Sequence, residues 1–370
     1  MTTILPLLPL DKDVETKAVL RAAAQAHRYL AELKGAAATI PNEAILINTL
    51  SLQEAKDSSE VESIITTHDE LYQQNLFDAI VRSPAAKEVA RYGVALREGT
   101  RRVVQTGLIR QQDILAVHHE LKGNDGRFRR VPGTAIKNAD TGEVIYTPPQ
   151  DATEVERLMA NLIDYINDPA RSDFDPLVKM AIIHLQFECI HPFYDGNGRA
   201  GRILNILYLV AQGLLDLPVL YLSRYIVRNK ATYYSLLQAT RETGQWEPWL
   251  LFMLQGVADT SRSTLATIRA ISDLMRRTKH RLRSELPKVY SQDLLGNLFS
   301  HPYTKIDFVM RDLHVSRPTA SKYLHELVDA GFLVERKLGR SKYFANMPLF
   351  ALLMGVESGG TDDATDGAAT

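Results

Sequence analysis

One short segment limits what this chain can fold into more than any other. His191-Pro192-Phe193-Tyr194-Asp195-Gly196-Asn197-Gly198-Arg199-Ala200-Gly201-Arg202 gathers a histidine, a carboxylate, an asparagine between glycines and two arginines. Apolar runs flank it, Leu177 to Ile190 before and Ile203 to Val210 after. That grouping fits a loop between two helices, with an anion cradle opening the second. Glycines let the backbone turn tightly and approach phosphate oxygens. Amides at a helix N-terminus point at an anion. Arg199 and Arg202 lie three apart, so on a helix they share a face, and guanidinium forks match phosphate oxygens. Asp195 is a hard oxygen ligand suited to magnesium already held by phosphates. His191 has the intrinsic pKa of a general base. A Gly-Asn-Gly turn alone would point only to a glycine-rich turn with surface arginines.

The remaining sequence sets the frame. With 370 residues there is room for two or three domains. A 45% hydrophobic, 24% charged composition is that of a soluble globular protein, and the net charge of −1 excludes a global basic field for nucleic acid. The single cysteine, Cys189, excludes an internal disulfide framework and suits a reducing cytoplasm. Its place in an apolar run makes it a small core residue. No transmembrane helix and no signal peptide are expected.

Five parts are expected along the chain. Residues 1–110 read as a helical domain, with one helical pattern over Asp11 to Leu33 and a second helix opening at Pro41-Asn42-Glu43. Residues 111–256 surround the signature. Within them, Thr134 to Tyr146 carries β-formers around an Asn-Ala-Asp-Thr-Gly turn and reads as a hairpin. Thr153 and Glu156 form a capping-box pattern for the next helix. Residues 257–298 read as a basic helical connector, either solvated or touching nucleic acid. Residues 299–350 read as a winged helix: a helix–turn–helix with Ser316 as N-cap, then strands around Gly331 to Lys337 and Ser341 to Phe344. Arg317, Thr319, Ser321, Lys322, Arg336, Lys337, Arg340 and Lys342 are its candidate DNA contacts, with protein contact or dimer packing as the alternative use. Residues 351–370 read as a disordered tail.

The segment 191–202 is similar, at every fixed position, to the signature of the Fic family, His-Pro-Phe-x-Asp/Glu-Gly-Asn-Gly-Arg-x-x-Arg. Gly126-Arg127-Phe128-Arg129, the hairpin with Tyr146-Thr147-Pro148-Pro149, Leu220-Tyr221-Leu222-Ser223 and Tyr233-Tyr234 extend the likeness. It implies a mainly α fold: a Fic helical core with a small β-hairpin flap, plus a C-terminal winged helix. It also implies a protein adenylyltransferase that moves AMP from ATP to a Ser, Thr or Tyr hydroxyl. His191 would be the catalytic base and Asp195 the magnesium ligand. Gly196, Asn197, Gly198, Arg199, Ala200, Gly201 and Arg202 would bind ATP, and Tyr233 would line the adenine site. The hairpin near residues 134–147 would dock a target protein or a segment of the chain itself, and a homodimer is expected.

Upstream, Ser58-Ser59-Glu60-Val61-Glu62-Ser63 resembles the family's inhibitory motif, Ser/Thr-x-x-x-Glu-Gly/Asn. Ser58 and Glu62 share a helix face. The resemblance implies that Glu62 pairs with Arg202 and occupies the partner of the ATP γ-phosphate. Ser63 departs from the pattern, and the charge-rich run is by itself equally a solvated acidic helix. His118, His119 and His184 read as hydrogen-bonded core histidines. The competing reading is a DNA-binding transcriptional regulator whose Fic core senses nucleotide.

Overall fold

The computed structural model describes residues 5–76, 83–124, 126–137, 141–338 and 341–354. Asn138 to Asp140 of the expected hairpin turn, Arg340 of the expected wing and most of the expected tail lie outside them. The chain divides into two compact units, Met1–Ala266 and Thr267–Thr370.

The larger unit is helical, as expected. Its elements are α1 (Lys17–Ala37), α2 (Glu43–Val61), α3 (His68–Leu76), α4 (Pro84–Thr106), α5 (Gln111–Lys122), α6 (Ala152–Asn167), α7 (Pro176–Ile190), α8 (Asn197–Ala211), α9 (Leu222–Arg228), α10 (Lys230–Thr243) and the first half of α11 (Glu247–Glu285). Thr16 caps α1, so the helix begins later than Asp11, because the Thr16 hydroxyl accepts from the Val19 amide. Asn42 caps α2 in the same way. Asp151, not Thr153, caps α6, since its carboxylate reaches the Glu154 amide and starts the helix two residues sooner.

Helix α7 is the axis of the unit. Every residue from Leu177 to Ile190 is buried, and the helix packs against α8, α6 and α1. A helix that is apolar all round must be enclosed. Two of its polar members are paired: His184 with the Tyr233 hydroxyl (2.8 Å) and Asn205 (3.0 Å), and Gln186 with the Pro6 carbonyl (2.9 Å). Helix α4 crosses α2, α5 and α8. Gly99 allows that crossing, because a Cβ there would sit 2.8 Å from Val117 Cγ2 and 2.9 Å from Leu207 Cδ1. The hairpin is short: β1 (Ile136–Lys137) pairs antiparallel with β2 (Val144–Tyr146).

The connector expected over 257–298 does not stand as a segment of its own. After Gly256 nothing interrupts the helical sequence until Pro287, so α11 runs through the expected boundary. The smaller unit holds the rest of α11, then α12 (Gln292–Ser300), β3 (Tyr303–Thr304), α13 (Ile306–Leu313), α14 (Arg317–Asp329), β4 (Val334–Leu338), β5 (Ser341–Ala345) and α15 (Met347–Met354). The strands form one antiparallel sheet in the order β3-β5-β4. Ser316 caps α14 as expected. Among the described residues no helix is long and apolar enough to cross a membrane.

Gly99→Val should lower the stability of the protein by about 1–3 kcal/mol, the usual cost of overpacking a tight crossing. Urea denaturation followed by circular dichroism measures it, and an unchanged midpoint would disprove the close crossing.

Candidate active site

The signature forms the turn from α7 into α8. His191 ends α7 in the left-handed conformation (φ 49°), and its amide still donates to the Phe187 carbonyl at 2.9 Å. Gly196 (φ 80°) turns the chain into α8. Between them the loop is held by polar groups aimed at its backbone. The Asn197 side chain accepts from the Phe193 amide and donates to the Phe193 carbonyl, both at 2.8 Å. The Asn197 side chain thus closes the loop on Phe193, and its backbone amide stands in the first turn of α8. The His118 ring stacks on Phe193 with centroids 3.7 Å apart and bonds the Asp195 carbonyl at 2.9 Å. His118 is therefore more than core filling. The Tyr194 hydroxyl accepts from the Arg130 and Val131 amides.

Arg129 ties the loop to the flap. Arg129 is 1% exposed. It donates to the carbonyls of His191 (2.8 Å), Ile190 (3.3 Å) and Pro149. At the far end of the hairpin the Tyr146 hydroxyl donates to the Cys189 carbonyl (2.9 Å), and Arg241 lies over the Tyr146 ring at 3.6 Å. Burial pushes the His191 imidazole down to about 4, the nearby Arg129 charge acting in the same direction. The ring is thus neutral near pH 7, the form that can accept a proton.

Helix α8 presents the two arginines, each 2% exposed and each on a carboxylate. Arg202 donates to the Ser58 hydroxyl, the Ser58 carbonyl and Glu62 Oε1, each at 2.8 Å. The Glu62 carboxylate lies over the first turn of α8, where the helical N–H groups lack partners within the helix. A Cβ at Gly198 would collide with Glu62 Oε1. Arg199 pairs with Glu88 of α4 at 2.7 Å. Ala200 and Gly201 are buried in the same turn, and a Cβ at Gly201 would meet Glu188 Oε1 at 2.8 Å. Burial pushes the Glu188 carboxyl up to about 7 against the pull of Arg202.

Helix α2 reaches this place through further pairings. Glu54 accepts from the Tyr92 hydroxyl (3.0 Å) and from the amide (3.2 Å) and hydroxyl of Ser223. Arg224 of α9 donates to Asp57 and Gln53, both at 3.1 Å. The helix then ends abruptly. Ser63 takes φ 63°, its amide bonds the Glu60 carbonyl and the Ile64 amide bonds the Ser59 carbonyl. These two bonds make the Schellman ending, whose left-handed residue is usually Gly or Asn. The departure of Ser63 from the motif thus falls on the residue with the strained backbone.

Asp195 stands apart from the arginines. Its carboxylate, 69% exposed, meets Lys122 Nζ at 2.5 Å. Burial of the group works against ionisation, yet the bond and charge of Lys122 and the Gly196 amide hold it below the ordinary carboxylate range. One carboxylate fits a magnesium ion that arrives with phosphate and water ligands, since magnesium needs few protein oxygens. Among the described residues no group of three or more His, Cys, Asp or Glu side chains is placed to hold a metal alone.

Tyr233 does not open onto this site. It is 1% exposed, its hydroxyl is taken by His184, and its ring packs among Trp249, Phe252 and Tyr234. The residue expected at the adenine is thus enclosed, whereas the next residue of α10, Tyr234, is 43% exposed with its ring edge-on to Tyr233. Glu88, Lys122 and Glu188 were not anticipated. Glu188 lies three residues before His191 and could have been found by that spacing; Glu88 and Lys122 carry no local signal.

Three family domains match in order. Residues 20–101 match the Fic/DOC family N-terminal domain, residues 108–209 the Fic/DOC family domain, and residues 274–349 the C-terminal domain of protein adenylyltransferase SoFic-like. The chain belongs to the Fic/DOC family. Protein adenylyltransferase fic-1 of Caenorhabditis briggsae is 30% identical over 141 residues, 38% of this chain and 26% of the relative. The probable protein adenylyltransferase of Aquifex aeolicus is 30% identical over 202 residues, 53% of this chain and 57% of the relative. The chain thus matches less than two thirds of the length of these relatives. A solved Fic family protein from Desulfovibrio desulfuricans G20 shares the fold, with a TM-score of 0.57 at 21% identity over 92% of this chain and 98% of that one.

Two outcomes are expected. Ser63→Gly should stabilise the protein by about 1 kcal/mol, because glycine relieves a left-handed backbone; urea denaturation reads it. Arg129→Met should cost about 1–3 kcal/mol, leaving buried carbonyls without donors, and should speed hydrogen exchange at residues 144–146. Unchanged exchange there would remove Arg129 as the tie between flap and loop.

Proposed function

We propose that the chain is a protein adenylyltransferase, transferring AMP from ATP to a Ser, Thr or Tyr hydroxyl of a protein, and that Glu62 holds it in check. The observation that carries this reading is the Glu62 carboxylate lying on Arg202 and against Gly198, an anion seated where a helix N-terminus and a buried guanidinium invite one. The names of the relatives favour the same chemistry.

The residues divide the work as follows. The amides of Gly196 to Gly198 face the α- and β-phosphates. Arg199 exchanges Glu88 for the β-phosphate, and Arg202 exchanges Glu62 for the γ-phosphate. Asp195 would hold a magnesium ion carried in on the nucleotide, which supplies charge neutralisation. His191, neutral through burial, takes the hydroxyl proton as the acceptor oxygen attacks the α-phosphorus. The new O–P bond forms as the bond to the α,β-bridging oxygen breaks, and pyrophosphate leaves. Positioning and fixed charge provide most of the rate enhancement in such transfers. The acceptor segment pairs along the hairpin, whose Val144 and Ile145 are 50% and 45% exposed.

The alternative, a DNA-binding regulator, draws less support. In the smaller unit Arg317 pairs with Asp307 at 3.0 Å, Lys322 with Glu326 at 3.7 Å and Lys342 with Glu335 at 2.7 Å. These basic groups are already balanced within the protein.

With α-labelled ATP and magnesium, Glu62→Gly should raise protein labelling about tenfold or more, since it frees a buried arginine whose pairing is worth more than a surface bridge. His191→Ala in that background should abolish the label, and equal labelling by both proteins would sink the role of His191. In the Glu62→Gly protein, kcat/KM should stay flat from neutral pH downward. It should fall only on approaching pH 4, where His191 protonates, not near the ordinary 6.5. A break near 6.5 would reject the buried base.

A further inference from the structure

The carboxylate and the two guanidinium groups of the signature are each paired, and with different parts of the chain. Glu62 holds Arg202 and Glu88 holds Arg199. At Asp195 the occupant is a cation, Lys122, the last residue of α5. Its placement is built from several sides. The Lys122 carbonyl accepts from the Arg91 guanidinium at 3.0 Å, which fixes the end of α5. The lysine stem runs beside Gly196, where a Cβ would stand 3.3 Å from Lys122 Cδ. His118 fixes the Asp195 backbone from one turn earlier on α5. The same ammonium also lies 3.3 Å from Glu88 Oε1. One lysine therefore has two carboxylates within reach: Asp195 on the loop and Glu88 on α4.

We propose that Lys122 is the internal cation of the nucleotide site, occupying Asp195 while the site is empty and yielding it to the divalent ion by moving onto Glu88. Lys122 is a positioning residue in this scheme. It keeps the Asp195 carboxylate neutralised and in place, and it sets the concentration of divalent ion needed to displace it. Two opposite charges brought within 4 Å gain energy that the incoming cation must replace. Glu88 makes the displacement reversible by offering the ammonium a second partner, and it stays charged because Arg199 and Lys122 hold it below the ordinary carboxylate range against its own burial. The inference rests on the reading of Asp195 as the cation ligand.

The test uses the full chain and Mn2+ as probe. Free Mn2+ is followed by electron paramagnetic resonance as it is titrated into protein with an α,β-methylene ATP analogue. Lys122→Met and Lys122→Ala should bind Mn2+ about two- to fivefold more tightly than wild type, the scale of one partly exposed ion pair. Lys122→Arg should keep the wild-type affinity. In an Asp195→Asn background the lysine substitutions should make no difference. Unchanged Mn2+ affinity in folded Lys122→Met and Lys122→Ala proteins would overturn the proposal. Weaker Mn2+ and analogue binding would overturn it too, assigning the ammonium to the phosphates instead. If the Glu62→Gly protein binds neither Mn2+ nor analogue, the adenylyltransferase reading itself fails, an outcome distinct from the other two.

Discussion

A guanidinium buried to 2% exposure cannot stay without an anion, and the arrangement around Arg202 follows from that requirement. Breaking a buried pair by removing one partner costs several kcal/mol, because the remaining charge is left unsolvated. Arg202 is fixed from below by Ser58, through both hydroxyl and carbonyl, so it cannot swing out to water. The anion must come to it. In this state it is Glu62, brought by a helix that Glu54, Asp57 and Gln53 clamp to α9 and α4. The end of α2 and the anion partner of Arg202 are therefore set by the same contacts.

The same logic governs the loop. Polar atoms tie the loop down: Asn197 bonds Phe193, His118 and Arg129 bond the Asp195 and His191 carbonyls, and Tyr194 bonds the Arg130 and Val131 amides of the segment before the hairpin. A loop tied at so many points is organised before any ligand arrives, which is what catalysis by fixed dipoles requires. His191 gains a second property from this packing: burial keeps it neutral.

Much of this was legible in the sequence, for a physical reason. The signature is local, and its chemistry depends on residue types at short fixed spacings. Such spacings survive from sequence to structure because a helix and a tight turn fix them. The hairpin, the Asn42 and Ser316 caps and the enclosure of Cys189 were readable on the same grounds. Where reading failed, competition between neighbours decided the outcome. Asp151 outbid Thr153 as cap by reaching the amide first. Tyr233 and Tyr234 look alike in sequence, yet α10 can bury only one of them, and its rotation sends Tyr233 to His184. The boundary at 256 vanished because a helix without breakers has no reason to stop.

By itself the sequence determined a helical protein with a glycine-framed turn between two helices, and it singled out His191, Asp195 and Glu62 as the residues of the proposed base, cation ligand and inhibitor, since each is written in contiguous residues. Only the tertiary structure decided who partners whom. It joined Glu88 to Arg199, Lys122 to Asp195 and Arg129 to the flap, pairs separated by 20 to 111 positions along the chain. No spacing rule reaches across such distances. The pairing of distant charges depends on how helices cross, and the crossings of α4 with α5 and α8 are set by close packing at positions such as Gly99.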